Sequence, residues 1–218
     1  SLKGPMDLFQ RAVVTIRRGR GAELSLLTRY EPITGHRGLR EGLERIYGAF
    51  YLSEIGRELG REDHADPGLF QLLSWSLEAL ERANPAQTAS VVLVAELGLL
   101  ANAGFELATR SCAHCGAGVP PGKARFEPAA GGVVCTHCRD REAVARELSG
   151  GARAALSALE AADAANLPRL RPSTAQIQEL RDLMHVIWLN ILERPLKSAV
   201  FVRDRSFGFL RAARVARR

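Results

Sequence analysis

Four cysteines stand in two C-x-x-C pairs, Cys112/Cys115 and Cys135/Cys138, separated by nineteen residues, and the 218-residue chain has no other cysteine. Three chemistries use thiols at such a spacing. Disulfides need an oxidising compartment, and the N-terminal SLKGPMDLFQ carries no charged-then-apolar export pattern. Redox catalysis places one C-x-x-C at a helix start within a βαβ unit, and no such pattern flanks either pair. A structural Zn²⁺ site fits best, because two knuckles present two thiolates each to a tetrahedral ion at roughly 2.3 Å. An emptied or oxidised site is the alternative. Gly116, directly after the second cysteine, suits a knuckle whose backbone N–H groups turn toward sulfur. Four thiolates complete the shell, so His114 and His137, inside the knuckles, are expected to point outward. A closed shell leaves no position for water and speaks against zinc hydrolysis.

Other reaction centres are hard to find. GRGA and GAGVPPGK lack the spacing and the Lys-Ser/Thr ending of a phosphate loop. Neither G-x-S-x-G nor H-E-x-x-H occurs. His36, His64 and His185 are scattered, and His185 reads as a core or partly exposed residue. Glu54, Glu58 and Glu62 fall at i, i+4 spacing, the pattern of a solvated helix face. Enzyme is the weakest functional class.

Charge carries more information. Residues 1–40 hold eight Lys/Arg against three Asp/Glu, and residues 194–218 hold eight against one. Residues 41–193 reverse the balance, with fourteen against twenty. Two basic ends attract polyanions, because neutralised phosphates release counterions. The nucleic-acid candidates are Lys3, Arg11, Arg17, Arg18 and Arg20 at one end, and Arg194, Lys197, Arg203, Arg205 and Arg211 at the other. Phe201, Phe207 and Phe209 interleave with the second group. Phe207 and Phe209 are the better placed to stack on unpaired bases, and Phe201 the better placed to pack the tail onto the bundle.

The elements that must position these residues are mostly helical. DLFQRAVVTIRRGRG and AELSLLTRYEPI alternate partially with period two and form a hairpin turning at 18–21, where Gly19 and Gly21 supply positive φ. From residue 39 the period becomes helical, with Leu39, Leu43, Ile46, Tyr47, Phe50, Ile55 and Leu59 near one stripe. A second helix opens at Pro67 and stops at Asn84-Pro85. A third, TASVVLVAELGLLANAGF, is apolar nearly all round and belongs in the middle of a bundle. The spacer between the cysteine pairs folds back as a small hairpin, with turn signals at Pro120-Pro121 and Gly131-Gly132. Beyond it, REAVARELSGGARAALSALEAADAANL reads as two short helices broken at Gly150-Gly151. The last long helix is capped by Ser173 or Thr174 and presents Ile177, Leu180, Leu183, Met184, Ile187, Trp188 and Ile191. The fold class is mainly α: a helical bundle with an inserted four-cysteine zinc module at about 105–140 and an N-terminal β-hairpin. No run of eighteen apolar residues occurs, so no membrane span is expected. The chain opens on Ser1, as a fragment or trimmed chain would.

The order of features resembles a known family. RYEPI, AFYLSEI, LFQLLSWSLEAL, LLANAGFELATRSCAHCG, FEPAAGGVVCTHC and ERPLKSAVF follow one another as in the bacterial recombination mediator RecO, over nearly the whole chain. The resemblance implies residues 1–35 as part of an OB-fold of which about half is absent, and residues 36–218 as a helical domain with a zinc module. It implies zinc on Cys112, Cys115, Cys135 and Cys138, and Lys197 of the L-K-S run as the first DNA-contact candidate. It also implies a cytoplasmic, nucleoid-associated DNA-repair factor that binds single- and double-stranded DNA and anneals complementary strands. Its implied partners are RecR and single-stranded DNA-binding protein, with which it loads RecA. The alternative is a zinc-stabilised helical interaction scaffold without direct DNA binding.

Overall fold

A computed structural model describes residues 5–19, 24–138, 145–163 and 166–203. The N-terminal hairpin forms as its alternation implies. Strands β1 (Arg11–Arg17) and β2 (Leu26–Thr34) pair antiparallel, Val14 opposite Tyr30, with register shifts after Arg11 and after Thr15. Tyr30 is buried and its hydroxyl donates to Gln10 Oε1. Val13, Val14, Ile16, Leu26 and Ile33, by contrast, are 46–55% exposed. Residues 20–23, which include the second half of the expected turn at 18–21, lie outside the described residues.

Three helices follow and pack on one another: α1 (Leu43–Leu59), α2 (Pro67–Arg82) and α3 (Pro85–Asn102). Asp66 caps α2 by accepting from Leu69 N–H, with Pro67 in the first turn. Asn84-Pro85 ends one helix and starts the next. Asn84 and Gln87 exchange side chain-to-backbone hydrogen bonds as a capping box, and Pro85 occupies the first helical turn. α3 packs against α1, α2, α4 (Gly150–Glu160) and α5 (Thr174–Leu192), so its all-round apolar surface finds cover on every side. Ser173, not Thr174, is the cap of α5. The short α6 (Ala199–Arg203) returns to α1 and α5. No helix among the described residues is long and apolar enough to cross a membrane.

Two expectations are corrected. Leu43 and Phe50, assigned to the buried stripe of α1, are 59% and 39% exposed. Ile55 of that stripe is buried, but the buried face otherwise runs through Gly48, Ala49, Tyr51, Leu52 and Gly56. Its glycines admit close neighbours: a Cβ at Gly56 would lie 2.5 Å from Leu73 Cδ1, and one at Gly48 3.0 Å from Val92 Cγ2. The second correction concerns REAVARELSG. Arg146–Leu148 is a strand, β5, and Gly150-Gly151 is the first turn of α4, capped by Ser149. Pairing with β3 (Ala124–Glu127) outweighs the helical propensity of the segment: among the described residues β3 has β4 (Gly132–Val134) on one edge and β5 on the other.

A polar network lies inside the bundle. Glu96 of α3 is buried, and its Oε1 accepts from Tyr51 Oη of α1 at 2.6 Å and from Trp188 Nε1 of α5 at 3.0 Å. It ties the two outer helices to the central one.

Candidate metal centre and nucleic-acid interface

The cysteine module hangs between α3 and α4. The spacer forms the β3–β4 hairpin, Phe126 opposite Val133, and Arg125 of β3 lies opposite Glu147 of β5. At the first knuckle Gly116 takes φ +72° and donates its N–H to the Cys112 carbonyl at 2.9 Å. At the second, Cys138 N–H donates to the Cys135 carbonyl at 3.1 Å. Ala113 N–H reaches Val133 O at 2.8 Å and so joins the first knuckle to β4. The four Sγ atoms lie within 4.8 Å of one another, those of Cys115 and Cys135 3.8 Å apart, and none is in a disulfide. A tetrahedron of sulfurs about 2.3 Å from a central ion has edges of about 3.8 Å, so the donor set and its spacing fit one thiophilic cation.

Electrostatics favour such a cation. Burial opposes ionisation of Cys112, but N–H groups of Cys135, Cys115 and His114 aimed at its sulfur bring it down to about 6. Burial and the other three sulfurs push Cys138 up to about 12. One thiolate thus resists the next, and a divalent ion relieves that repulsion for all four.

His137 is exposed, as expected for a full shell, whereas His114 is corrected. Its Nε2 lies 2.7 Å from Oε2 of the fully buried Glu127, so the ring points into the module and clips the first knuckle to β3. The module is also pinned to α4. Buried Arg153 donates from Nε to Thr109 O at 2.8 Å, from Nη2 to Val119 O at 2.7 Å, and from Nη1 to Pro120 O. Three carbonyls in place of a carboxylate are an uncommon setting for a guanidinium, and desolvation lowers its pKa.

The basic candidates fall into distinct settings. Arg11 is half-buried at the start of β1, and Arg17 is exposed at the end of that strand. Arg18 pairs with Asp63, just past the end of α1, at 2.8 Å. Lys197 is exposed, while Arg203 lies 3.7 Å from Asp182. Phe201 stacks on Tyr47 at 4.7 Å between ring centroids and stays 46% exposed. Lys3, Arg20, Arg205, Arg211, Phe207 and Phe209 lie outside the described residues.

Of the three glutamates expected on a solvated face, Glu62 is exposed but lies past the end of α1, while Glu54 and Glu58 are engaged. Glu54 Oε1 accepts from Lys197 N–H at 2.9 Å; its Oε2 accepts from Ser198 N–H at 2.8 Å and from the Ser198 hydroxyl. Glu58, whose side chain is 8% exposed, pairs with Arg57 at 3.0 Å and with Arg194. Both basic ends of the chain therefore fasten to acidic side chains at the C-terminal half of α1 and the loop after it. The i, i+4 spacing of the two glutamates does not distinguish this role from solvation. The other half of the signal, Ser198 in L-K-S, lies 144 residues away.

Residues 40–199 match the family model described as "Recombination protein O C terminal". Among curated relatives, "DNA repair protein RecO" of Desulforudis audaxviator is 32% identical over 201 residues, covering 92% of this chain and 78% of that protein. The protein of the same description from Myxococcus xanthus is 35% identical over 201 residues, with 91% and 78% covered. That of Roseiflexus sp. is 31% identical over 204 residues, with 93% and 70% covered. With its four-cysteine module set between bundle helices and its match to relatives over nine-tenths of its length, the chain belongs to the RecO family of DNA repair and recombination proteins.

Proposed function

We propose that this chain is a DNA-binding recombination mediator that anneals complementary single strands and helps load recombinase onto coated single-stranded DNA. The observation that carries this reading is that both basic ends fasten to acidic groups of α1 and the loop after it: Arg18 on Asp63, Arg194 on Glu58 and the Lys197 backbone on Glu54. Arg17 and Lys197 are exposed and available to phosphates, with Lys3, Arg20 and Arg205 as further contacts. Zn²⁺ on Cys112, Cys115, Cys135 and Cys138 holds the module's shape, and with four sulfur ligands it takes no part in turnover. The hairpin within residues 1–35, whose apolar side chains are half exposed, supplies closing strands of an OB barrel. The working place is the bacterial cytoplasm, with RecR and single-stranded DNA-binding protein as partners.

Anisotropy of a labelled single-stranded oligonucleotide tests the DNA reading. Binding should weaken steeply with salt, and R17E/R18E should reduce the slope of log K against log salt by about 1.4, at ~0.7 per phosphate. No binding at low salt sinks it.

A specific cleft favours a scaffold role as well. Trp75, Ala79, Val91, Leu167 and Pro168 line a cavity of about 190 Å³ with Arg82 at its side, 3.7 Å from Glu78, which an incoming carboxylate would displace. An acidic peptide ending in an apolar residue, as attributed to the tail of single-stranded DNA-binding protein, matches an apolar cleft with an arginine for its carboxylate. R82E should weaken capture of such a peptide at least tenfold and leave DNA binding nearly unchanged. Equal capture by R82E would remove the cleft from consideration.

A further inference from the structure

Lys197 occupies a segment with no regular structure of its own. Glu193 ends α5 in the left-handed region at φ +55°, Pro195 follows, and α6 starts only at Ala199. The backbone there has few ways to satisfy its N–H groups internally. Glu54 supplies the acceptor: both carboxylate oxygens are used, on the N–H groups of Lys197 and Ser198 and on the Ser198 hydroxyl. Desolvation opposes the charged form of Glu54, but the Ser198 and Lys197 hydrogen bonds outweigh it and hold the carboxyl below its ordinary value. One turn further along α1, Glu58 holds Arg194. Leu196, between these anchors, is buried, and Lys197 is left with a fixed backbone and an exposed side chain.

We infer that Glu54 is a positioning residue for nucleic-acid binding: by fastening the backbone at Lys197 and Ser198 to α1, it presents the Lys197 ammonium to phosphate. The inference rests on the DNA-binding reading above. It joins two parts of the sequence, Y-L-S-E and L-K-S, into one device. Without the carboxylate the loop regains backbone freedom that binding must then remove, and the ammonium samples many positions.

The sign of the effect separates this role from plain electrostatics. Glu54→Gln raises the net charge by one, which on charge alone strengthens attraction to DNA. Positioning predicts the reverse. In anisotropy titrations of the full chain with labelled oligo-dT, E54Q should bind about 3- to 10-fold more weakly than wild type. Its salt slope should fall by about 0.7, the value for one lost phosphate contact on a single strand. K197A should show the same loss, and E54Q/K197A should bind no more weakly than K197A, because both changes remove one contact. S198A, which keeps both backbone donors, should fall between wild type and E54Q and serves if E54Q folds poorly. Wild-type or tighter binding by E54Q or S198A, with K197A weakened, overturns the inference and leaves DNA binding standing. No binding by wild type overturns both.

Discussion

Replacing Cys112 with serine should release the metal and melt the module between α3 and α4. Serine keeps the volume but offers a poor zinc ligand, and Cys112 sits where N–H groups of Cys135, Cys115 and His114 already converge on its sulfur. Structural zinc contributes roughly 10–16 kcal/mol of apparent folding energy in small finger peptides, comparable to the whole stability of a typical domain at about 5–15 kcal/mol. Among the described residues the module's fully buried side chains are few, Phe126 and Val133 foremost, and its sheet has three short strands. The loss should propagate through Arg153, whose guanidinium is satisfied by carbonyls of Thr109, Val119 and Pro120 in that module. A buried cation deprived of its acceptors destabilises α4 in turn. C112S should therefore lower stability by at least about 5 kcal/mol, or ~10–20 °C in melting midpoint for a chain of this size. Elemental analysis should find one zinc per wild-type chain and none in C112S, and a chelator should reproduce the mutant melt. A wild-type melt unmoved by chelation, or purified protein free of metal, would refute the structural role.

The features that were legible in the sequence are those whose signal is local. Two C-x-x-C pairs, Pro67 in a first turn and a cap at Ser173 or Thr174 each rest on a signal within a few residues, and the structure places the cysteines together, Pro67 in the first turn and the cap on Ser173. The features that were not legible depend on what lies opposite. The buried face of α1 is marked by Gly48 and Gly56, because Val92 and Leu73 need the space; a stripe drawn through large side chains picks Leu43 and Phe50 instead. Arg146–Leu148 is a strand because β3 offers it an edge, a partner about twenty residues away. Arg153 reads as one polar residue in an alanine-rich helix until three carbonyls of the preceding module close on it. Glu54 is the extreme case, since its partner Ser198 sits at the other end of the chain. Buried polar groups need hydrogen-bond partners, and the partner's address is a tertiary fact that composition and periodicity do not carry.

Between pH 4.5 and about 7 the stability of the bundle should fall as pH rises, and Glu96→Gln should remove most of that slope. Glu96 is buried among α1, α3 and α5. Desolvation raises its carboxyl from 4.5 to about 7, while hydrogen bonds from Tyr51 and Trp188 and the charge of Arg181 hold the rise in check. A raised folded-state pKa means that the protonated form is favoured by folding. The stabilisation is therefore complete below the unfolded value of 4.5 and is lost as pH passes through about 7. A shift of this size corresponds to about 3 kcal/mol at 1.36 kcal/mol per unit, or ~6–12 °C in melting midpoint. Glutamine keeps an oxygen to accept from Tyr51 and Trp188 and has no charge to desolvate. Its amide N–H groups need acceptors that a protonated carboxyl needs less, so E96Q should be the less stable protein at about pH 5 and the more stable at about pH 8. The crossing of the two melting profiles is the diagnostic, since a lost hydrogen bond or a packing defect alone would displace one curve at every pH. Parallel profiles for wild type and E96Q would show that Glu96 is ionised in the fold throughout this range, held by Arg181 more strongly than burial opposes it.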